Sequence, residues 1–166
     1  MEINLRDGRI CLVDDQDCDL SSFVWYASCG LSPKSYAIKF VCRNPVPMHR
    51  IVLERIIGRS LVKGEIVDHI NGKKFDNRRA NLRLANYVLN GANRCAPRHN
   101  KSGFKGVSWS TAEKKWKAFI KAGNKNVGLG VFDNPVDAAR AYNEAALKHF
   151  GEFAWLNPLP EKGDAS

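Results

Sequence analysis

The sequence predicts an α+β fold with a small N-terminal antiparallel sheet, a central core of two strands and a helix, and a C-terminal three-stranded antiparallel sheet packed on one helix. Three observations predict this class. Short runs of alternating apolar and polar residues are separated by turns rich in glycine, asparagine and proline, as is typical of hairpins. One long helical pattern stands near the end of the chain, at residues 135–150. A length of 166 residues suits one ordinary domain or two or three small ones.

Residues 1–47 predict a β-rich N-terminal segment that forms a small antiparallel sheet. Residues 3–5 alternate in polarity, and Asp7 with Gly8 marks a hairpin turn before a return strand at 9–13. A further strand is expected at 36–42, followed by a break at 44–47, where two prolines fix the backbone. This segment gives no indication of function.

Residues 48–95 predict a helix, a strand, a polar loop, a second strand and another helix. The first helix covers 49–57 and ends at Gly58, because its apolar residues recur at helical spacing. Brief strands at 66–68 and 82–84 flank a loop that contains the Asn71-Gly72 turn. The polar segment 96–102 is predicted to be a linker.

Residues 103–158 predict three strands followed by one helix, with a tail at 159–166. The strands are expected at 104–110, 115–121 and 126–132. The helix at 135–150 has Asn134 as its N-cap, Pro135 at its first position and Gly151 after its end. Its many alanines allow it to lie close against the sheet.

Composition excludes several classes of protein. The content of 44% hydrophobic and 26% charged residues is that of a folded globular chain. Apolar runs such as 51–53 are far shorter than the about 20 residues of a membrane span. The first residues lack the pattern of a secretory signal, so we expect a cytoplasmic location. The five cysteines show neither zinc-ribbon spacing nor a disulfide framework.

The charge distribution points to a polyanionic partner. The net charge is +9, but residues 1–48 carry five basic and six acidic residues. Residues 63–125 carry fifteen basic and only four acidic residues. This concentration of basic residues predicts a contact with nucleic acid. An anionic membrane surface is the weaker alternative, and a basic surface that only faces solvent is the non-functional alternative.

Asp68 and His69 are the residues most suggestive of chemistry. Phosphodiester hydrolysis needs a hard cation bound by oxygen ligands and a base that works near neutral pH, for which histidine is suited. Asn90 on the following helix could present its amide oxygen to the same cation. The residue types alone leave a hydrogen-bonded surface pair with ordinary turn asparagines as the alternative.

The segments 68–72, 76–83 and 90–93 resemble the HNH endonuclease motif. The form is that of phage and intron-encoded homing enzymes, in which the last histidine is replaced by asparagine. The resemblance implies a ββα-metal fold, with His69 as general base and Asn81 as a catalytic residue that braces the loop. It implies one Mg²⁺ or Mn²⁺ bound by Asp68 and Asn90, and no structural zinc, so neighbouring segments must hold the hairpin. His49 is interpreted as structural, with a phosphate contact as the alternative, and the arginines expected to contact DNA are Arg78, Arg79 and Arg83.

The segments 103–109, 115–118, 129–132, 138–146 and 150–157 resemble the plant ethylene-response-factor (APETALA-type) DNA-binding domain. That resemblance implies a three-stranded sheet in the DNA major groove with the helix packed behind it. The lysines of this face could equally form a solvated surface, and the aromatic residues Trp109, Trp116 and Tyr142 are interpreted as sheet–helix core. The residues expected on the DNA face are Lys105, Ser108, Ser110, Lys115, Lys117, Phe119, Lys121 and Asn126.

The two resemblances together predict a metal-dependent DNA endonuclease that a C-terminal domain brings to double-stranded DNA. One metal site predicts nicking by a homing-like monomer, with dimerisation as a route to double-strand breaks. The alternative is a DNA-binding regulator with a decayed nuclease region. An RNA-directed role is the weaker third hypothesis, since most aromatic residues are expected in cores.

Overall fold

A computed structural model describes residues 1–28, 35–97, 100–123 and 125–160. The chain forms two compact units, Met1–Tyr87 and Val88–Ser166. Part of the predicted linker and of the predicted tail lies outside the described residues, as does Asn124 of the turn after the second C-terminal strand. Within the described ranges, no helix combines the length and the apolar character that crossing a membrane requires.

The N-terminal segment contains two small antiparallel sheets. Strands β1 (Glu2–Asn4) and β2 (Ile10–Leu12) form a hairpin, and a 3₁₀ helix follows at Asp15–Ser22. Strands β3 (Tyr26–Ala27), β4 (Ala37–Val41) and β5 (Asn44–Pro47) form the second sheet, with β4 in the middle.

The rest of the first unit has the predicted order of elements. Helix α1 (Met48–Ile57) ends at Gly58, whose φ of +70° is the left-handed conformation that glycine tolerates best. Strands β6 (Ile66–His69) and β7 (Leu82–Ala85) pair antiparallel, and the loop between them ends in a 3₁₀ helix at Arg79–Asn81. The expected strand–loop–strand hairpin is therefore present.

One hydrophobic core joins the N-terminal segment to the hairpin. Its buried members come from β1, β2, the 3₁₀ helix Asp15–Ser22, β4, α1, β7 and the loops between them, so residues 1–47 pack as part of the same unit rather than as a separate one. Burial of this shared apolar surface stabilises the short hairpin without local cross-links. The buried core residues are Ile3, Leu5, Cys11, Val13, Leu20, Trp25, Ala37, Met48, Val52, Leu53 and Leu82.

The second unit is a three-stranded antiparallel sheet with one long helix, as predicted. Its strands are β8 (Val107–Ser110), β9 (Lys115–Ala122) and β10 (Lys125–Phe132), with β9 in the middle. Helix α3 (Pro135–Phe150) begins after Asn134, whose side chain accepts a hydrogen bond from the Asp137 amide. Ala138, Ala139 and Ala146 are fully buried, which lets α3 approach the sheet closely.

Short helix α2 (Tyr87–Ala92) begins at the last residue of the first unit and otherwise belongs to the second. The Lys105 ammonium donates to the carbonyl oxygens of Gly91, Ala92 and Arg94 at 3.2, 2.5 and 2.6 Å. The Trp155 amide also donates to Ala92 at 3.2 Å. Residues 88–95, which the sequence analysis places in the nuclease region, are tied by these bonds to the second unit.

Candidate functional site

Asp68 and Arg83 form a buried ion pair across the hairpin. They stand directly opposite each other in β6 and β7, and their side chains are 2% and 12% exposed. Arg83 Nε donates to Asp68 Oδ2 at 2.9 Å, and Nη2 lies at the same distance. The predicted metal carboxylate is therefore bound by an arginine of its own hairpin, and the predicted DNA contact Arg83 points at that carboxylate.

His69 is buried at the end of β6, beside Asp68 in sequence. Its Nε2 lies 3.2 Å from Asn77 Oδ1, and the ring centroids of His49 and Tyr36 are 5.3 and 6.1 Å away. Burial lowers the pKa of His69 to about 4, against the opposite effect of the Asn77 hydrogen bond. The imidazole is therefore neutral at physiological pH, which is the form that can accept a proton from water.

His49 packs between Tyr36 and His69. Its ring centroid is 4.7 Å from that of Tyr36, and its Nδ1 makes no hydrogen bond within the described residues. Burial, followed by repulsion from His69, lowers the pKa of His49 to about 3. These contacts place His49 in the packing around His69.

Asn77 is the site residue whose contacts the sequence analysis did not predict. Its side-chain amide nitrogen donates to Cys11 Sγ and to Met48 Sδ, both at 3.3 Å. These partners are 66 and 29 residues away, so no local pattern signals the contact. The only sequence signal was its place inside the segment 76–83.

Asn81 bridges the loop between the two strands. Its Oδ1 accepts from the Asn71 amide at 3.0 Å, and its Nδ2 donates to the Asp76 carbonyl oxygen at 2.7 Å. The two bonds join the beginning and the end of a polar loop that has little apolar surface to bury. Such a connection is what the bracing role expected of Asn81 requires, and that role remains a prediction.

The other two arginines of the loop also bind carboxylates. Arg78 pairs with Asp76 at 2.7 Å and keeps 52% of its side chain exposed. Arg79 pairs with fully buried Asp17 at 2.7 Å, and its side chain is 27% exposed. The arginine hydrogen bonds lower the pKa of both carboxyls. Of the three arginines, Arg78 offers the most accessible guanidinium to a ligand.

Asn90, the second predicted metal ligand, is half-buried on α2 in the second unit. Asp68 belongs to the first unit, and the pairing of the two side chains on one cation remains a prediction. The described residues contain no group of three or more His, Cys, Asp or Glu side chains placed to hold a metal ion. One carboxylate and one amide oxygen are nevertheless the donor types that Mg²⁺ and Mn²⁺ prefer, so the donor chemistry fits such an ion.

Strand register places seven of the eight predicted DNA-face residues on one face of the C-terminal sheet. Ser108 is opposite Lys117, Ser110 is opposite Lys115, and Lys121 is opposite Asn126. Phe119 lies on the same face, between Lys117 and Lys121 on β9, because alternate residues of a strand point to the same side of the sheet. Lys115 and Lys117 form exposed ion pairs with Asp133 and Glu113, at 3.0 and 2.8 Å, which solvent screens.

Lys105 does not lie on this face. Its ammonium binds carbonyl oxygens at the end of α2 and just after it, and burial lowers its pKa to about 8. The aromatic interpretation also holds only in part. Tyr142 is buried, whereas Trp109 is 48% exposed, because it lies on edge strand β8 with its ring against the edge of Trp116.

Comparison with known proteins gives one family match. Residues 46–87 match the HNH endonuclease family. The match contains α1, both strands of the hairpin and the loop between them, and therefore Asp68, His69, Asn77 and Asn81. It supports an HNH endonuclease domain in the first unit.

Three relatives share 29–34% identity with the chain. The uncharacterized HNH endonuclease L560 of Acanthamoeba polyphaga mimivirus is 29% identical over 84% of this chain and 70% of that protein. Protein 3.8 of Escherichia phage T7 is 34% identical over 48% of this chain and 65% of that protein. Ethylene-responsive transcription factor ERF069 of Arabidopsis thaliana is 32% identical over 60% of this chain and 64% of that protein.

Two of these relatives are viral, one of them is named as an HNH endonuclease, and the chain spans about two thirds of the length of each relative. The ethylene-response-factor resemblance rests only on the partial similarity to the Arabidopsis factor. No solved structure shows significant similarity to the chain.

Proposed function

We propose that this protein is a metal-dependent DNA endonuclease of the HNH type that nicks double-stranded DNA in a homing-like manner. The observation that carries the proposal is the buried Asp68–His69 pair at the end of a hairpin strand, inside the segment similar to HNH endonucleases. Phosphodiester hydrolysis is the reaction for which a neutral imidazole beside a hard oxygen ligand is suited.

In this proposal His69 accepts the proton of the attacking water. Its neutral state near pH 7 follows from burial, so the base is available without a prior deprotonation. Asn81 holds the loop that follows β6, and with it the direction of the imidazole. Asn81 therefore acts on the base through the loop.

Asp68 and Asn90 would hold one divalent cation, Mg²⁺ or Mn²⁺. When bound, such an ion supplies positive charge against the phosphate oxygens. Arg83 already neutralises Asp68, so a bound ion would have to share this carboxylate with the guanidinium or displace it. An oxygen-only donor pair favours a hard cation over zinc.

The C-terminal sheet is the proposed binding surface for double-stranded DNA. Its open face carries Lys115, Lys117 and Lys121 at regular cross-strand positions, together with small residues that let a phosphate backbone approach. The expected contacts are mainly to phosphate, and this predicts a steep dependence of affinity on salt. The viral relatives fit action in the cytoplasm of a host cell.

One metal site per chain supports cleavage of one strand per encounter. The test is conversion of supercoiled plasmid to the open circular form with Mg²⁺ or Mn²⁺, with EDTA as the metal control. We expect nicking by the wild-type protein, loss of nicking in His69→Ala and Asp68→Asn, and retention in His149→Ala, which changes an exposed histidine on α3. Circular dichroism of each variant separates lost catalysis from lost fold.

Two outcomes would contradict the proposal. Nicking by His69→Ala at the wild-type rate would remove this histidine as the base. Metal-independent, salt-sensitive DNA binding without strand scission in the wild-type protein would favour the regulatory alternative, to which the similarity to a plant transcription factor also points.

A further inference from the structure

We propose that Asn77 is a positioning residue that holds neutral His69 in the tautomer with its proton on Nε2, so that Nδ1 is the nitrogen that accepts a proton. The catalytic use of this tautomer rests on the proposed nuclease function, whereas the tautomer itself does not. The inference assigns a role to a side chain for which the motif alone gives none.

The direction of the Asn77 amide follows from its sulfur neighbours. Met48 Sδ carries no hydrogen and can only accept, so the amide group that faces it at 3.3 Å must be the NH₂ group. The amide oxygen then points the other way, towards His69 Nε2 at 3.2 Å. An amide oxygen also only accepts, so Nε2 must donate the proton of this bond.

A neutral imidazole has one N–H group, and placing it on Nε2 leaves the lone pair on Nδ1. When Nδ1 takes a proton from water, the ring becomes a cation with both nitrogens protonated. The Nε2–H bond to Asn77 is kept in both states, so the transfer needs no rotation of the ring or of the amide. The bond becomes charge-assisted and therefore stronger at that moment.

The N-terminal segment and α1 fix Asn77 from behind. The backbone amide of Asn77 donates to the Leu12 carbonyl oxygen at 2.8 Å. The backbone amide of Leu12 donates to the Phe75 carbonyl oxygen at the same distance. Asn77 is 1% exposed, and both sulfur-bearing side chains are fully buried. The thiol of Cys11, whose pKa burial raises to about 12, stays protonated and apolar in this packing.

The first test is NMR of the wild-type protein with ¹⁵N-labelled histidine. Long-range ¹H–¹⁵N correlations at neutral pH distinguish a protonated from an unprotonated ring nitrogen, and the His69 signals are assigned by their loss in His69→Gln. We expect a protonated Nε2 and an unprotonated Nδ1. The opposite tautomer, or an even mixture, would overturn the inference, whether or not the protein cuts DNA.

The second test uses two substitutions of Asn77. Asn77→Asp keeps an accepting oxygen and should keep the tautomer, whereas Asn77→Leu removes the acceptor and should give a mixture. In plasmid nicking we expect Asn77→Leu to lower kcat by about 10- to 100-fold with little change in KM, as expected for loss of a charge-assisted hydrogen bond. Asn77→Asp should recover part of this loss.

Asn44→Leu is the matched control, because it makes the same change at an exposed position of the first unit. If both Asn77 variants retain wild-type kcat and fold, Asn77 has no positioning role. If the wild-type protein cuts no DNA but shows the expected tautomer, the nuclease proposal fails and the assignment of the His69 proton stands. If Asn77→Leu does not fold, the wild-type spectrum and Asn77→Asp still decide.

Discussion

Replacing Gly106 with alanine should disrupt the C-terminal unit far more than the same change at Gly103. Both glycines have nearly the same left-handed backbone, with φ of +73° and +74°. A Cβ on Gly106 would lie 2.1 Å from Tyr142 Cδ2 and 2.5 Å from the Phe119 carbonyl oxygen. A Cβ on Gly103 would meet nothing within 4 Å, so this residue is a control for backbone strain alone.

The magnitudes follow from these contacts. An alanine in a left-handed conformation costs about 1–2 kcal/mol, and this cost applies to both variants. Gly106→Ala adds the cost of overpacking, about 1–3 kcal/mol. The ring cannot move aside freely because Tyr142 is only 3% exposed. The Phe119 backbone cannot move freely either, because its amide donates to the Gly106 carbonyl oxygen at 2.8 Å.

Native-state hydrogen exchange measures the difference in stability between the two variants at the strand that contains Phe119. Amides of β9 should exchange about 5- to 150-fold faster in Gly106→Ala than in Gly103→Ala, which corresponds to about 1–3 kcal/mol. Amides of β6 and β7 in the first unit are the internal control and should be unchanged. Equal exchange rates of β9 in the two variants would refute the argument from packing.

Three further predictions concern charged groups. Arg83→Ala takes the guanidinium away from buried Asp68 and should lower the free energy of unfolding, measured by urea titration, by about 3 kcal/mol. Arg59→Ala removes an exposed ion pair and should lower it by under about 1 kcal/mol. Equal losses in the two variants would contradict the assignment of the buried pair. Lys121→Ala should reduce the slope of log K against log salt for duplex DNA by about one, and an unchanged slope would remove this lysine from the interface. His49 is neutral when folded down to about pH 3 but is protonated below its ordinary pKa of 6.5 when unfolded, so stability should fall as pH falls through this window, by up to about 1.4 kcal/mol per pH unit. Melting curves at several pH values should show a shallower slope for His49→Gln, and identical slopes would contradict the prediction.

The sequence was most informative where structure depends on local pattern. Alternation along 115–121 predicted both β9 and the face on which Lys117 and Lys121 lie, because strand periodicity is fixed by the backbone. The capping pattern of Asn134 and Pro135 predicted the first residue of α3, because the cap and the helix that it begins are adjacent in sequence. The hairpin around His69 was predicted by the same local logic and by the motif.

Contacts between distant segments could not be predicted in this way. The bonds of Asn77 to Cys11 and Met48 depend on a core that brings three separate segments together. The pairing of Arg83 with Asp68 depends on the exact register of β6 and β7, which a loop of this length leaves open. Lys105 has the appearance of a surface cation, but the end of α2 provides carbonyl acceptors for it.

The backbone of Leu12 binds the loop between β6 and β7 on both sides of Asp76, at Phe75 and Asn77, and this restricts how the domain can be exchanged between proteins. A gene fusion that joined residues 46–87 alone to a new partner would carry Asp68, His69 and Asn81 but would leave behind Asn90 and the strand whose backbone binds the loop. A fusion that kept residues 1–87 together would retain the backbone bonds between Leu12 and the loop. Transfer of the proposed nuclease unit should therefore keep the opening hairpin together with the motif, and chimeras that contain or lack residues 1–45 should differ in the stability of the loop.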